Sequence, residues 1–356
     1  MVSYDLAVIP GDGIGLEVVP ESLRVLDALA AEHGFRVRAA VYDYSCAHYK
    51  AHGRMMPADG LERLRDSDAI LLGAVGYPGV PDHVSLWGLL IPIRRTFEQY
   101  VNLRPVRLLA GVTSPLAGRQ PSEIDMCIVR ENSEGEYSEV GGRFRRDTAE
   151  EVVVQEAIFT RRGVDRVVRY AFELARTRRS HVTSATKSNG IIHSMPFWDE
   201  RFATIGREYG DVRTAQFHID ILAAHFVAHP DWFDVVVASN LFGDILSDLG
   251  PAVAGGIGIA PSANLNPERM YPSMFEPVHG SAPDIAGRGI ANPIAMLWST
   301  SMMLDHLGKP AAAAALMGSI EGVVRDGCNL TPDLGGQSST KQVTDAIISR
   351  LGVAPG

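Results

Sequence analysis

The sequence predicts an α/β protein built around a largely parallel sheet. Short apolar runs typical of buried strands alternate along the chain with longer segments whose apolar residues recur at helical spacing. The 356 residues are 46% hydrophobic, so the chain can bury the core of two domains or of one large α/β unit. No internal repeat or low-complexity linker interrupts the alternation. We therefore expect many of the strands to be joined through crossover helices.

Apolar runs and helical periodicity predict the individual elements. Predicted strands cover residues 6–9, 69–72, 126–129, 181–186 and 235–238. Predicted helices cover residues 18–31, 89–100 and 164–175, and three more at 294–307, 311–324 and 340–351 make the end of the chain mostly helical. Residues 137–160 differ, because their glycines and β-branched residues are typical of a β-hairpin. Such an arm is suited to pairing with a second subunit.

Charge and cysteine content exclude several functional classes. Lys and Arg total 33 against 42 Asp and Glu, and the net charge of −9 argues against a nucleic-acid partner. The 3 cysteines form no C-x-x-C pair, which predicts neither a disulfide framework nor a zinc site. We recognise no secretion signal and no apolar segment long enough to cross a membrane. The expected location is the cytoplasm.

Asp244 and Asp248 follow the strand predicted at 235–238 and are four residues apart. On a helix their side chains share one face, with Cβ atoms roughly 5–6 Å apart. Two such carboxylates repel each other unless a cation lies between them, and their hard oxygens suit Mg²⁺ or Mn²⁺. The alternative is a solvated helix face. Ile245, Leu246 and Leu249 favour a packed helix instead.

A glycine-rich turn at residues 11–15 follows the first strand, where a dinucleotide-binding turn would lie. A Rossmann fingerprint would need glycine at the position of Leu16, so an ordinary Rossmann site is not predicted. The glycines still permit a tight turn and a close approach of backbone. Either something binds against this turn, or it is a sharp connection between strand and helix without a ligand.

Arginines form a second group of candidates. Arg94, Arg104 and Arg130 lie at the ends of apolar segments, and together their bidentate donors could hold a polyacid. The alternative is that each arginine pairs with an acid of the protein, as Arg130 would with neighbouring Glu131.

Three further side chains could take part in proton transfer or metal binding. Lys187 ends the strand predicted at 181–186, the usual location of α/β active sites, and could accept a proton. Tyr137 could donate a proton to a carbanion or enolate. Asp220 follows a β-type run and offers a third metal carboxylate. Without such context, Lys187 would be a surface charge and Tyr137 a packed aromatic.

Several motifs resemble the isocitrate and isopropylmalate dehydrogenase family of β-decarboxylating dehydrogenases. They are residues 11–15, 94–104, 240–250 and, most specifically, 276–287 with 290–293. The similarity runs nearly end to end. Residues 80–88 and 100–107 most resemble the branch of the family that acts on tartrate and D-malate.

The resemblance implies an isocitrate/isopropylmalate dehydrogenase-like fold of two α/β domains. Residues 1–100 and 252–356 would form a large NAD-binding domain. Residues 101–251 would form a small domain that carries the β-type arm and the interface of a homodimer. Active sites would be shared, because Lys187 and Asp220 would reach in from the partner subunit.

The resemblance also implies roles for individual residues. The implied catalytic residues are Lys187, which assists deprotonation of the substrate hydroxyl, and Tyr137, which protonates the enolate. The implied substrate-binding residues are Arg94, Arg104 and Arg130, and the implied metal ligands are Asp220, Asp244 and Asp248. The implied NAD-binding residues are Glu276, His279, Gly280, Ser281, Ala282, Asp284, Ile285 and Asn292. K⁺ is a candidate activating ion beside Mg²⁺ or Mn²⁺.

Cofactor choice follows from the position of Asp284. In the family this loop surrounds the adenosine ribose, so a carboxylate would accept hydrogen bonds from the ribose hydroxyls and repel a 2′-phosphate. Relatives that use NADP carry lysine and tyrosine where this chain has Asp284 and Ile285. The resemblance therefore predicts NAD.

Substrate choice depends on the segment before Arg94. Gly88 and Leu90 stand where isocitrate dehydrogenases place a serine and an asparagine, and Trp87 occupies the acidic position of isopropylmalate enzymes, beside Leu90 and Ile91. We expect oxidative decarboxylation of D-malate to pyruvate and CO₂, oxidation of tartrate, or both. The alternative is 3-isopropylmalate oxidation in leucine biosynthesis. A non-catalytic regulatory subunit is a third hypothesis, although such subunits typically lose acid, base or metal residues that are present here.

Overall fold

The structure is a computed structural model that describes residues 2–351. Its strands are β1 (Val2–Gly11), β2 (Phe35–Val41), β3 (Ala69–Ala74), β4 (Val101–Arg107), β5 (Asp125–Glu131), β6 (Gly141–Phe144), β7 (Val152–Gln155), β8 (His181–Thr186), β9 (Arg213–His218), β10 (Val235–Ala238), β11 (Pro261–Leu265) and β12 (Ser273–Pro277). Its helices are α1 (Gly15–His33), α2 (Cys46–His52), α3 (Gly60–Leu64), α4 (Asp82–Ser85), α5 (Ile91–Thr96), α6 (Arg161–Arg176), α7 (Ser194–Gly206), α8 (Ile219–Ala228), α9 (Asn240–Val253), α10 (Ile294–His306), α11 (Pro310–Asp326) and α12 (Thr340–Arg350). The predicted α/β class is confirmed.

Within residues 2–351, ten strands form one sheet in the order β2-β1-β3-β12-β11-β4-β5-β10-β8-β9. Strands β2, β1, β3 and β12 are mutually parallel, and so are β5, β10, β8 and β9. Three successive antiparallel pairings join these groups, from β12 through β11 and β4 to β5. The two parallel groups therefore run in opposite directions and meet in the middle of the sheet.

The sheet is buried on both faces. In β1, Leu6 and Val8 belong to one apolar cluster, whereas Ala7 and Ile9 belong to another. Because successive side chains of a strand point to opposite faces, the two clusters lie on opposite sides of the sheet. Burial on both faces explains why the central strands read as continuous apolar runs rather than as an alternating pattern.

Most of the predicted elements are confirmed, and the strands predicted at 181–186 and 235–238 have the observed bounds. The helix predicted over residues 89–100 is wrong at both ends. A π-helical turn covers Leu86–Leu90, and α5 ends at Thr96 because Glu98 adopts a left-handed backbone conformation with φ of 42°. Strand β2 was not predicted, because it is an edge strand whose residues are mostly exposed.

The hairpin predicted within residues 137–160 is confirmed. Strands β6 and β7 pair antiparallel in a sheet of their own. Their apolar side chains are exposed, with Phe144 at 58% and Val153 at 67%. An isolated two-stranded hairpin is only marginally stable in water, so this arm needs a surface that covers it. In the described part of the chain, no helix combines the length and the apolar character that a membrane crossing requires.

Candidate active site

Helix α9 carries Asp244 and Asp248 and lies close against the centre of the sheet. Two glycines permit this approach: a Cβ added to Gly243 would lie 2.6 Å from Arg130 Cβ, and one added to Gly250 would lie 2.6 Å from Val106 Cγ2. The close packing brings Asp244 to the end of β5. Leu246 faces the core as predicted, but Ile245 does not, because it is 50% exposed.

Arg130, at the end of β5, makes the most extensive contacts in this region. Its side chain forms an ion pair with Asp244 and donates two hydrogen bonds to Asn240 Oδ1, of 3.1 Å from Nε and 2.7 Å from Nη2. Burial lowers the pKa of Arg130 to about 10, so the guanidinium stays charged at neutral pH. The suggested pair of Arg130 with Glu131 is wrong. The Glu131 carboxylate accepts hydrogen bonds from the backbone and side chain of Ser133 instead.

The other two predicted arginines are buried beside Arg130. Arg104 Nη1 lies 2.5 Å from Ser247 Oγ and 3.7 Å from an Asp248 oxygen, and Arg94 Nη2 lies 3.0 Å from Glu276 Oε1. The Nε atoms of Arg94 and Arg104 are buried and have no hydrogen-bond partner among the described residues. Each arginine thus contacts an acid, but buried donors remain free for a further anionic group.

Tyr137 contacts Asp244 through the carboxylate oxygen that Arg130 does not bind. Its hydroxyl donates a 2.7 Å hydrogen bond to Asp244 Oδ2, and burial together with this bond raises the pKa of Tyr137. Although burial alone would raise the pKa of Asp244, the charge of Arg130 and the bond from Tyr137 lower it. The phenol therefore holds its proton, and the carboxylate stays ionised.

Asp248 differs from Asp244 in both exposure and acidity. Its side chain is 64% exposed, compared with 34% for Asp244. Partial burial and the neighbouring charge of Asp244 raise the pKa of Asp248, although Arg104 opposes the shift. Opposite pKa shifts are expected of two carboxylates that share one site.

Lys187 and Asp220 form a separate pair. Lys187 Nζ lies 2.7 Å from Asp220 Oδ1, and the hydrogen bond from Lys187 lowers the pKa of the carboxyl. Among residues 2–351, no three His, Cys, Asp or Glu side chains come together as a group that could hold a metal ion. A single chain therefore presents Asp244 with Asp248 in one place and Asp220 with Lys187 in another.

Of the predicted NAD-binding residues, Glu276 lies in β12 and the others follow that strand. His279 Nδ1 lies 3.0 Å from the Gly280 carbonyl, while His279 Nε2 is buried without a partner among the described residues. Ser281 is buried and Ala282 adopts a left-handed conformation with φ of 41°. Asp284 is exposed. A buried nitrogen without a partner, in the same loop as an exposed carboxylate, suits a ligand that brings its own hydrogen-bonding groups.

Two predicted members of this group are fixed by the protein itself. Glu276 Oε1 accepts a 2.7 Å hydrogen bond from Asn264 Nδ2 in addition to its contact with Arg94. The side-chain amide of Asn292 donates a 2.9 Å hydrogen bond to Asp333. Its oxygen, Oδ1, accepts one of 3.0 Å from the backbone amide of Ile294, the first residue of α10. The polar capacity of Asn292 is therefore largely used inside the protein.

One cavity of about 210 Å³ lies between the arginines around Asp244 and the predicted NAD-binding residues. Its lining includes Arg94, Arg104, Arg130, Tyr137, Asp244, Glu276, His279 and Gly280. Leu86 and Leu90 form an apolar part of its wall. Trp87 and Ile91, which were expected beside Leu90, do not line it. One helical turn separates Leu86 from Leu90, so these two share a face and their neighbours point elsewhere.

Arg95 was not predicted to have a role at the site. Its side chain donates to the Tyr137 carbonyl at 2.7 Å and to Glu139 at 3.0 Å, and its guanidinium lies 5.1 Å from the ring centre of Trp87. Arg95 thus ties the segment that carries Tyr137 to the helix that carries Arg94. Only its position next to Arg94 in the sequence could have drawn attention to it.

Comparisons with known proteins identify relatives that match nearly the whole chain. The family described as isocitrate/isopropylmalate dehydrogenase matches residues 5–347. D-malate dehydrogenase [decarboxylating] from Escherichia coli (strain K12) is 59% identical over 355 residues, covering 98% of each chain. Tartrate dehydrogenase/decarboxylase from Pseudomonas putida is 58% identical over 358 residues, again with 98% of each chain covered.

Solved structures give the same result. The crystal structure of isocitrate dehydrogenase from Methylococcus capsulatus matches with a TM-score of 0.88 and 32% identity, covering 98% of this chain and 99% of that one. The predicted resemblance is confirmed by the matches over nearly the whole length. The chain belongs to the isocitrate/isopropylmalate dehydrogenase family.

Proposed function

We propose that this chain is a metal- and NAD-dependent dehydrogenase that oxidises and decarboxylates a small 2-hydroxy diacid. D-malate, which yields pyruvate and CO₂, and tartrate are the proposed substrates. The observation that carries the proposal is the cavity in which three buried arginines, Asp244 and Tyr137 face an apolar wall. Relatives named for D-malate and tartrate favour these substrates over 3-isopropylmalate.

The arginines determine how a diacid would be held. The buried Nε atoms of Arg94 and Arg104 lack partners, and leaving such a donor unsatisfied costs about 1–3 kcal/mol. A substrate carboxylate would satisfy them and remove part of that cost. The contacts of Arg130 and Arg104 with Asp244 orient the guanidinium groups before the substrate arrives.

Carboxylate oxygens make this site suitable for Mg²⁺ or Mn²⁺. Asp244 and Asp248 would hold the ion together with Asp220 of the partner subunit, and K⁺ is a candidate activator. A bound metal ion lowers the proton affinity of the substrate hydroxyl and withdraws electrons as CO₂ leaves, while NAD⁺ accepts the hydride. The side chains of Asp248 and Asp220 are 64% and 66% exposed, which supports binding of one metal ion between two subunits.

Two side chains would move protons. Lys187 is paired with Asp220 as an ammonium; once that group has passed a proton to solvent, its neutral amine would take the proton of the C2 hydroxyl as C2 is oxidised. After the bond between C3 and the departing carboxyl carbon breaks, Tyr137 would donate its phenolic proton to C3. Its raised pKa keeps the phenol protonated at neutral pH, as an acid in this step must be.

A homodimer with shared active sites follows from the same assignment. The arm exposes Phe144 and Val153, and α8 and α9, which pack against each other, expose Ile221 at 45% and Ile245 at 50%. Exposed apolar side chains such as these support an interface with a second subunit. The three cysteines are free thiols, which supports a reducing compartment such as the cytoplasm.

We also propose the division into two domains at residues 1–100 with 252–356 and residues 101–251. The strand order supports it, because β2, β1, β3, β12 and β11 come from the chain ends and the other five from the middle. The boundary between β11 and β4 would lie beside the cavity.

NAD specificity can be tested at Asp284 and Ile285. The double variant Asp284→Lys, Ile285→Tyr should move the ratio of kcat/KM for NAD⁺ and NADP⁺ toward NADP⁺, because a carboxylate that repels the 2′-phosphate becomes an ammonium that attracts it. Steady-state kinetics with both nucleotides give the ratio. An unchanged ratio would contradict the proposed role of the loop.

The substrate is tested by comparing kcat/KM for D-malate, L-tartrate and 3-isopropylmalate with Mn²⁺ and either nucleotide. We expect D-malate or L-tartrate to exceed 3-isopropylmalate by at least about 10-fold, the scale on which small apolar pockets discriminate. The reverse order would favour the isopropylmalate alternative. NADH formation that requires a second polypeptide would favour a regulatory subunit.

A further inference from the structure

Glu17, in the first turn of α1, holds the far end of the loop formed by residues 279–289. Its carboxylate accepts hydrogen bonds of 2.6 Å from the Gly287 amide and 2.8 Å from the Gly289 amide. Both glycines have positive φ, of 78° and 65°, a conformation that other residues rarely adopt. One side chain thus fixes two amides of a loop that is 270 residues distant in sequence.

The near end of the loop is held by the glycine-rich turn itself. Ile14 N donates a 2.9 Å hydrogen bond to the Ser281 carbonyl. The approach is so close that a Cβ added to Gly13 would lie 2.1 Å from the same oxygen. The backbone that approaches the glycine-rich turn in the structure is thus that of the chain's own loop.

Between these two anchors the backbone hydrogen bonds of the loop are local, while the side chains of Ala282, Ile285 and Ala286 pack against the apolar core. The Ile285 and Ala286 amides donate to the Ala282 carbonyl at 3.1 Å and 3.2 Å, and the Arg288 amide donates to Ile285 at 3.2 Å. Asp284 and Arg288 are exposed. The shape of the segment that carries Asp284 therefore depends on these apolar contacts and on how its two ends are held.

We propose that Glu17 is a positioning residue for the nucleotide, which fixes the 279–289 loop in the conformation that receives adenosine. The inference rests on the proposed NAD site. A loop ordered in advance does not have to lose conformational freedom when the ligand binds, so its anchors contribute to affinity without touching the ligand. If Glu17 served only as an acidic residue in the first turn of a helix, its replacement would lower the stability of the protein and leave nucleotide affinity unchanged.

The test measures binding of ADP-ribose, which lacks nicotinamide, to the full-length protein by calorimetry. Glu17→Gln loses the negative charge and one acceptor, so its Kd for ADP-ribose should rise about 10-fold. KM for NAD⁺ should rise by a similar factor, while kcat and KM for D-malate stay unchanged. Glu21→Gln is the matched control, because Glu21 lies one turn further along α1 and pairs with Arg24 at 2.5 Å.

Limited trypsin digestion provides an independent measurement. Arg288 lies between the two anchored amides, so Glu17→Gln should be cleaved there faster than the unaltered protein, and ADP-ribose should slow the cleavage. Glu17→Asp keeps the charge on a shorter side chain and should fall between the two. If the unaltered protein binds ADP-ribose and Glu17→Gln binds it equally well, the positioning role is wrong. If the unaltered protein does not bind ADP-ribose, the nucleotide site itself is wrong, and this inference with it.

Discussion

The Tyr137→Phe variant is expected to turn over D-malate about 10²- to 10⁴-fold more slowly than the unaltered enzyme, the range by which a positioned general acid accelerates proton transfer. Phenylalanine keeps the ring, which lies 5.5 Å from the Arg130 guanidinium, but has no proton to give to the enolate. Because the arginines are unchanged, KM for D-malate should change little. Coupled assays of NADH and pyruvate would measure the effect.

Tyr4→Phe is the control for this variant. The Tyr4 hydroxyl also makes one hydrogen bond, of 3.0 Å to the Leu307 carbonyl, and Tyr4 does not line the cavity. Tyr4→Phe should therefore leave kcat unchanged. A Tyr137→Phe enzyme that retains the unaltered kcat would show that another group supplies the proton.

A loss of similar size, about 10²- to 10⁴-fold in kcat, is expected for Lys187→Ala, because the amine of Lys187, in its neutral form, is proposed to take the hydroxyl proton. Lys187 is half-buried and contacts Asp220 at 2.7 Å, so its charge is held in one place rather than solvated freely. Added alkylamines should restore part of the activity by replacing the missing amine.

Lys341→Ala provides the matched control. Lys341 also lies 2.7 Å from an aspartate, Asp345, but this pair is on α12 at the surface and does not line the cavity. Its removal should not change kcat. If alkylamines have no effect on Lys187→Ala, the role of Lys187 is positional rather than chemical.

Local pattern was sufficient to predict strand β5, which carries Arg130, and helix α9, which carries Asp244 and Asp248. Strand β10 was predicted because four consecutive apolar residues are followed by polar ones, and the spacing of Asp244 and Asp248 requires only that the next segment be a helix. The glycines at 243 and 250 that allow α9 to approach the sheet could not be interpreted from sequence, since their neighbours belong to β5 and β4.

The residues that the sequence did not reveal act through contacts between distant segments. Glu17 binds amides 270 and 272 residues further along the chain, and Asn264 reaches both Glu276 and Asn132. Strands β11 and β12 were also missed, because proline and polar residues interrupt their apolar pattern. The pairing of Arg130 was mistaken for a similar reason: Glu131 is its neighbour in sequence, but its partner is Asp244 on α9.

The central claim is that each active site combines Tyr137 and Asp244 of one subunit with Lys187 and Asp220 of the partner subunit. Unfolding an equal mixture of Tyr137→Phe and Lys187→Ala chains and refolding them together tests it most directly. Half of the dimers should be mixed, and each should contain one intact site, so the mixture should recover about one quarter of the unaltered specific activity. If the tyrosine and the lysine served the same site within one chain, every site would carry a defect, and the refolded mixture would be as inactive as either variant alone.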